Sequence, residues 1–369
     1  MVRLKKLSAA LRSANPSADA MLITHPIDVR YLTGFTGSNA ALVVPQQPAR
    51  KARRPGKPVL FTDGRYIQQA RQETKYAGVT IAQGPVLREA CIWMRDAGIR
   101  RCAFDAEHTT VATLEMIRQW IPGNQRRGFF LPVPPLIAGL REIKDAEEIV
   151  RLRAAANLGC RLFDNLLTHI ESGKREIEIA AQLEFAARMA GAEGMSFETI
   201  VASGARSALP HGHATEQRIP RHGFVVLDFG VLLGGYCSDM TRTVHVGRAT
   251  TAERDAYDAV LEAQLAAVAA VRPGVQCGEV DEAARSVLRR AKLANFFTHS
   301  TGHGVGLEIH ENPRIAHKQQ QKLAAGMAIT IEPGVYLPGR FGVRIEDMVL
   351  VTRSGAEILT PATKAWIEL

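Results

Sequence analysis

The sequence has no apolar run approaching a membrane span. Its longest, such as Ala263–Val271, fall far short of the roughly 20 residues a spanning helix needs. Five cysteines, at 91, 102, 160, 237 and 277, form no Cys-x-x-Cys pair. Their odd number and scatter argue against a disulfide framework and against a thiolate zinc site, and a reducing cytoplasm is the expected compartment. Charges recur through Met1-Val2-Arg3-Leu4-Lys5-Lys6-Leu7 with no continuous apolar region behind them, so a secretory leader is not expected. There is no tandem repeat and no low-complexity tract beyond one short basic run.

What is present is ordinary for a soluble globular protein. The chain has 369 residues, 46% of them apolar and 22% charged, with a mean hydropathy of −0.06. At about 100–200 residues per domain, this length suggests two. The net charge of +9 is unevenly placed, with +11 on residues 1–140 and −2 on the remainder. Part of the excess lies in the basic run 49–57, Ala49-Arg50-Lys51-Ala52-Arg53-Arg54-Pro55-Gly56-Lys57. Such a run can touch phosphates, but it is flanked by Pro45, Pro48 and Pro58 and has no interleaved aromatics. It reads as a solvated hairpin loop between strands at 40–44 and 59–62, and nucleic acid is not the expected partner.

Strand-like and helical stretches alternate through the first third, with helices at 4–11, 65–72, 86–96 and 111–120. That pattern suggests an α/β domain. The prolines of Leu131-Pro132-Val133-Pro134-Pro135 favour an extended chain and set the expected boundary, giving domains 1–135 and 136–369. The second domain reads as α+β, with helices near 145–170, 175–190, 251–271 and 279–292. Its strands are expected at 224–230, 236–246, 327–332 and 345–351.

Four carboxylates fall where these strands should be apolar. Asp228 interrupts Phe224-Val225-Val226-Leu227-Asp228-Phe229-Gly230, and Asp239 sits in the run after Gly234-Gly235. Pairing of these runs as antiparallel strands can bring both onto one face. Glu332 follows the apolar Met327–Ile331, and Glu346 lies in Val343-Arg344-Ile345-Glu346-Asp347. A buried ionised carboxylate is costly unless paired or bound to metal. Pairing with Arg242 or Arg344 could account for one such group, but hardly for four; two divalent cations would balance them. The stretch Thr298–Glu311 offers His299, His303 and His310, with glycines at 302, 304 and 306 that let backbone approach a ligand closely. Neither His-Glu-x-x-His nor a nucleotide-loop glycine spacing is present. Carboxylates with one imidazole suit Mn²⁺, Co²⁺ or Zn²⁺, and the oxygen-rich set favours Mn²⁺. A close metal pair can hold a bridging hydroxide and clamp a tetrahedral intermediate, which is hydrolytic chemistry.

Taken together, Leu-Asp-Phe-Gly, Cys-Ser-Asp-Met-Thr-Arg-Thr, Gly-His-Gly-Val-Gly-Leu-x-x-His-Glu, Ile-Glu-Pro-Gly-Val-Tyr and Val-Arg-Ile-Glu-Asp resemble the pita-bread metallopeptidases. That family includes methionine aminopeptidase, Xaa-Pro aminopeptidase and prolidase. The run Ile200–His211 resembles its proline-specific branch. Tyr31–Asn39 and Phe61–Tyr66 are similar to that branch's smaller, creatinase-like α/β domain, so the resemblance covers nearly the whole chain. It implies an α/β N-terminal domain followed by an α+β pita-bread catalytic domain. It further implies that Asp228 binds one of two metal ions, His303 binds the other, and Asp239 and Glu346 bridge them. Glu332 would bind a metal and assist proton transfer. His211 and His310 would line the substrate cleft, His299 would be an accessory histidine there, and Tyr336 and Arg344 would support the cluster.

Other readings stay open. His299 can be a hydrogen-bonded structural histidine and Tyr336 a packed aromatic. His213 reads as a surface residue. Histidines 25, 108, 169, 222, 245 and 317 have no matched context. The expected activity is that of a dimetal Xaa-Pro aminopeptidase acting on small peptides with proline at the second position. A prolidase restricted to Xaa-Pro dipeptides is the alternative. Creatinase lacks the ligand set, and a non-enzymatic family member binding protein or nucleic acid is the distant alternative. Family resemblance also implies a homodimer.

Overall fold

A computed structural model describes residues 1–46 and 56–369. Most of the basic run at 49–57 therefore lies outside the described residues. The chain divides into two compact units, Met1–Arg141 and Glu142–Leu369.

In the first unit, the described residues form one six-stranded mixed sheet ordered β4-β3-β2-β1-β5-β6. Its strands are β1 Ala20–Ile23, β2 Ala40–Pro45, β3 Val59–Thr62, β4 Gly78–Ile81, β5 Cys102–Asp105 and β6 Phe130–Val133. β2 and β3 are antiparallel neighbours, with Ala40 opposite Thr62 and Val43 opposite Val59. β5 and β6 run parallel to β1 and to each other, respectively. Helices α1 Val2–Ala14, α2 Pro26–Thr33, α3 Ile67–Glu73, α4 Val86–Asp96, α5 Val111–Gln119 and α6 Leu136–Arg141 complete the unit. The proline run itself forms most of β6 and its exit. α6 follows it but packs with α1 and α2, and its Arg141 pairs with buried Asp28 at 3.0 Å. The units thus meet after Arg141, a few residues beyond the prolines.

The second unit opens with α7 Ala146–Leu166 and α8 Glu176–Met189. Asp145 starts α7 through a capping box: its carboxylate accepts from Glu148 N–H at 3.0 Å, and Glu148 accepts from Asp145 N–H at 2.9 Å. Strands β7 Gly194–Met195, β8 Ile200–Ser203, β9 Gly223–Phe229, β10 Val231–Leu233, β11 Tyr236–Cys237 and β12 Met240–Val246 follow. Two long helices, α9 Thr251–Ala270 and α10 Cys277–Arg290, then lead into the last group of strands. These are β13 Gly302–Gly304, β14 Glu311–Ile315, β15 Ala328–Ile331, β16 Gly334–Leu337, β17 Phe341–Arg344, β18 Asp347–Val351 and β19 Ala356–Ile358. The principal sheets are ordered β12-β9-β8 and β14-β13-β15-β18-β19.

β9 is buried along its whole length. Val225, Leu227 and Phe229 join a core with α7 and α8, whereas Phe224 joins the core beneath α9 and α10. Strand alternation therefore turns Asp228 away from α7 and α8, on the face of Phe224. The expected single strand 236–246 is broken at Ser238-Asp239, where Ser238 N–H donates to Val231 O at 2.9 Å and Ser238 Oγ accepts from Val231 N–H at 2.9 Å. The expected strand 345–351 begins only at Asp347, because Glu346 N–H leaves the ladder to donate to Thr241 O at 3.1 Å.

All five cysteines are buried. Among the described residues, no helix is long and apolar enough to cross a membrane.

Candidate metal centre

The site is assembled on strand ends and strand breaks. Asp228 lies in β9 opposite Thr241 of β12. Asp239, two residues before Thr241, shares its face and so becomes a diagonal neighbour of Asp228. The approach depends on Gly230: a Cβ there would fall 1.7 Å from Ser238 O. His303 comes from β13, Glu332 from the residue after β15, and Glu346 from the break before β18. A second close crossing serves His303, since a Cβ on Gly302 would lie 1.9 Å from Thr330 O.

Asp239, His303 and Glu346 each bring a ligand atom within 4.8 Å of the others. His303 Nε2 is 3.6 Å from Asp239 Oδ2 and 3.5 Å from Glu332 Oε1. Its Nδ1 lies 2.9 Å from Gly304 O, a group that only accepts, so Nδ1 carries the proton. Burial depresses the ring's proton affinity to a pKa of about 4. The neutral ring therefore points a lone pair from Nε2 at two carboxylates.

Those carboxylates crowd one another. Burial, then the charges of Glu346 and Asp228, drives the Asp239 carboxyl well above its usual range. Burial, then Glu332 and Asp228, does the same to Glu346. Glu332 rises to about 8, through burial first and with Asp228 adding to it against the pull of Arg344. Neutral partners are few: Thr241 Oγ1 donates to Glu346 Oε2 at 2.8 Å and Thr330 Oγ1 to Glu332 Oε1 at 3.4 Å.

Arg344 supplies the positive charge. Its Nη2 donates to Asp228 Oδ2 at 2.5 Å, its Nε to Thr241 Oγ1 at 3.1 Å, and its Nη1 to Tyr336 Oη at 2.7 Å and Pro210 O at 3.0 Å. Burial works against this guanidinium, but Tyr336, Asp228 and Glu332 hold its pKa well above the ordinary value. Arg242 is not a second counter-ion for the cluster. It pairs with Asp347 at 2.8 Å and donates to the carbonyls of Thr360 and Ala362. Asp347 also accepts from Gln264 at 2.9 Å and from Lys364.

Tyr336 accepts from Arg344 and sits 2.8 Å from His299 Nε2. His299 Nδ1 donates to Ser300 O at 2.8 Å, so Nε2 is the acceptor and Tyr336 O–H the donor. Burial, with Arg344 nearby, lowers the His299 pKa to about 4. His310 packs edge-on to His303 with ring centroids 4.5 Å apart. His211 lies on the exposed turn after Pro210 and is close enough to His299 and His310 to oppose protonation of both. The five acidic and imidazole candidates for the metals, with His211, His299, His310, Tyr336 and Arg344, therefore fall in or beside one cluster. His213 stands apart, 54% exposed and 3.2 Å from Glu198.

Residues 150–353 match metallopeptidase family M24, and residues 3–143 match the creatinase/prolidase N-terminal domain. The chain belongs to metallopeptidase family M24. It is 47% identical to an Xaa-Pro dipeptidase of Pyrococcus furiosus over 231 residues, which are 63% of this chain and 66% of that one. Superposition on an Xaa-Pro dipeptidase of Bacillus anthracis gives a TM-score of 0.93 at 36% identity, covering 100% of this chain and 99% of the other. An X-Pro aminopeptidase of Thermotoga maritima superposes with a TM-score of 0.88 at 34% identity, over 98% and 100% of the two chains. The M24 chain has the family's pita-bread fold behind its creatinase-type N-terminal unit.

The donor set fits the divalent metals that M24 peptidases use. Asp228 Oδ1 is buried without a hydrogen-bond partner, the His303 lone pair faces carboxylates, and among the described residues one guanidinium stands against four acidic groups. Two supports of this M24 site escaped the sequence reading. Thr241 bridges Glu346 and Arg344, although it lies inside the Cys-Ser-Asp-Met-Thr-Arg-Thr run. The Pro210 carbonyl ties Arg344 to the His211 turn, a contact that no spacing announces.

Proposed function

We propose that this M24 metallopeptidase is an Xaa-Pro dipeptidase that hydrolyses the bond before proline at a centre for two divalent metal ions. The observation carrying the hydrolytic reading is the convergence of Asp228, Asp239, His303, Glu332 and Glu346 with an unsatisfied Asp228 oxygen. In this reading Asp228 and His303 each hold one metal, Asp239 and Glu346 serve both, and Glu332 completes the set. Oxygen-rich ligation favours manganese over cobalt or zinc.

When bound, such metals polarise the scissile carbonyl and generate a nucleophile from water at neutral pH. The chain's own residues do the rest. Glu332, 3.5 Å from His303 Nε2, would be held as a carboxylate by the cations and could take a proton from the attacking water and pass it toward the leaving imino nitrogen. That nitrogen carries no hydrogen in an Xaa-Pro bond, so a delivered proton is needed for departure. His310 and His211 face the substrate, where a neutral imidazole can donate to the scissile carbonyl oxygen as charge develops. Tyr336 fixes His299 beside them.

Dipeptidase is placed first because the relative with 47% identity and the structure superposing at a TM-score of 0.93 bear that name. This reverses the order expected from sequence, where aminopeptidase came first. The aminopeptidase reading draws on the Thermotoga likeness. Hydrolysis of Ala-Pro and Ala-Pro-Ala with Mn²⁺, beside a chelator control, separates them. Cleavage of the dipeptide alone supports the proposal. Release of Ala from the tripeptide makes the protein an Xaa-Pro aminopeptidase, and silence on both removes the proline-specific reading. The protein is further proposed to act as a cytoplasmic homodimer; a monomer in sedimentation at working concentration would overturn that state.

A further inference from the structure

A second cluster of ligating groups lies along β12, six residues and roughly 20 Å of strand beyond Asp239. His245 is fully buried there, with Phe224 at 5.1 Å, Trp366 at 5.5 Å and His222 at 5.0 Å between ring centroids. Its Nδ1 lies 2.7 Å from Gly247 O. A carbonyl only accepts, so Nδ1 holds the proton and Nε2 of the neutral ring presents a lone pair. Nε2 has no hydrogen-bond partner. It faces Glu253 Oε2 across 3.5 Å without a hydrogen bond, while the other oxygen of that carboxylate shares a 3.2 Å hydrogen bond with His222 Nε2.

The carboxylate cannot swing away to relieve this. Glu253 is the third residue of α9's capping box, and its Oε2 accepts from Thr250 N–H at 2.8 Å and Thr250 Oγ1 at 2.7 Å. A proton on His245 Nε2 does not close the gap either, since charge-assisted N–H···O bonds run at about 2.7–2.9 Å. One ligand atom from each of His222, His245 and Glu253 lies within 4.8 Å of the others. Bonds of about 2.0–2.2 Å place neighbouring ligand atoms about 3.4 Å apart, so a modest closure of the three groups would grip an ion. A histidine whose far nitrogen is tied to a backbone carbonyl is the usual support for a metal-bound imidazole.

We propose that His222, His245 and Glu253 form a separate site for one divalent transition-metal ion of the zinc type. Two imidazoles and a carboxylate fill three positions. The half-exposed side of His222 leaves the fourth to water. The site would tie the start of α9 to β9 and β12, a structural role distinct from hydrolysis. The His25–Asp28–His108 cluster of the first unit differs, because Asp28 is already paired with Arg141 and His108 Nδ1 is 3.0 Å from Asp105.

The test is a difference in metal content. Full-length wild type, His222→Ala and His245→Phe are stripped with chelator, dialysed against Zn²⁺ and assayed for zinc per chain and for melting temperature. His222 is half-exposed, so its replacement leaves the fold in place, and phenylalanine keeps the aromatic packing around position 245. Each variant should hold one zinc equivalent fewer than wild type. Each should also lose part of the zinc-dependent rise in melting temperature, while Ala-Pro hydrolysis in Mn²⁺ is unchanged. Equal zinc content in wild type and His222→Ala overturns the site.

Discussion

Asp228 sends its two carboxylate oxygens to different environments: Oδ2 accepts from Arg344 Nη2 at 2.5 Å, while Oδ1 is buried with no hydrogen-bond partner. Half of the group is neutralised by protein and half is left for a cation. Arg344 therefore sets how much negative charge the cluster presents. Through Pro210 O and Tyr336 it also holds the His211 turn and His299.

Replacing Arg344 with Met removes a buried counter-ion and leaves Asp228 unpaired. The expected loss in stability is about 3–5 kcal/mol. The milder Arg344→Lys keeps the charge but not the fork of donors, and should weaken metal binding or turnover by roughly 10–100-fold. Chemical denaturation of the first variant and a metal titration of the second check these outcomes.

Asp239→Asn should abolish turnover and lower metal content with the far-ultraviolet circular dichroism unchanged. The same change has an opposite effect on the stripped protein. It removes one charge from a buried, self-repelling group, so the metal-free variant should melt above metal-free wild type, by about 2–4 °C for each kcal/mol relieved. Scanning calorimetry in chelator measures this directly. Near-normal activity in Asp239→Asn would sink the ligand assignment.

The stripped wild type should also lose stability as pH rises from about 7.5 to 8.5. Glu332 has a folded pKa of about 8, above the unfolded value near 4.3. Across that window the folded state binds more protons than the unfolded one, so raising the pH favours unfolding. His299 and His303, with folded values of about 4 and unfolded values near 6.5, pull the other way around pH 6.5, but above about pH 7.5 they are neutral in both states and leave the Glu332 trend unopposed. Melting curves in chelator should fall with pH, and Mn²⁺ should flatten them. A pH-independent melting point in chelator would contradict the buried acidic cluster.

Gly230→Ala tests the crossing that brings Asp239 beside Asp228. The new Cβ would meet the Ser238 carbonyl at 1.7 Å, backbone against backbone. A cost at or above about 3 kcal/mol is expected, the upper end for overpacking, with metal binding lost in whatever folds. Gly98→Ala, at a surface turn where a Cβ meets nothing within 4 Å, measures the effect of a strained φ alone.

Much of this centre was legible because burial and charge contradict each other in the sequence. A carboxylate inside Phe-Val-Val-Leu-Asp-Phe has few explanations, and its recurrence at 239, 332 and 346 narrowed them. The supports were less visible. Arg242 and Arg344 look equivalent in sequence, yet one binds the Asp347 network and the other the cluster, a choice made by tertiary packing. The breaks at 238–239 and 345–346 also escaped, because Asp239 and Glu346 leave the strand ladders exactly where a period-two reading continues them. His222 and His245 carried no local signal at all, since their meeting depends on the register of β9 with β12 and on the cap of α9.

The Asp228–Arg344 contact spans 116 residues of chain, and His303, Glu332 and Glu346 also come from the closing strands. A chain emerging from synthesis holds Asp228 and Asp239 long before their partners exist. A cation cannot nucleate this unit as zinc nucleates a zinc finger; it can enter only after the final strands have docked. Metal occupancy would then report completed assembly, and a truncated or stalled chain would remain unmetallated however much cation surrounds it.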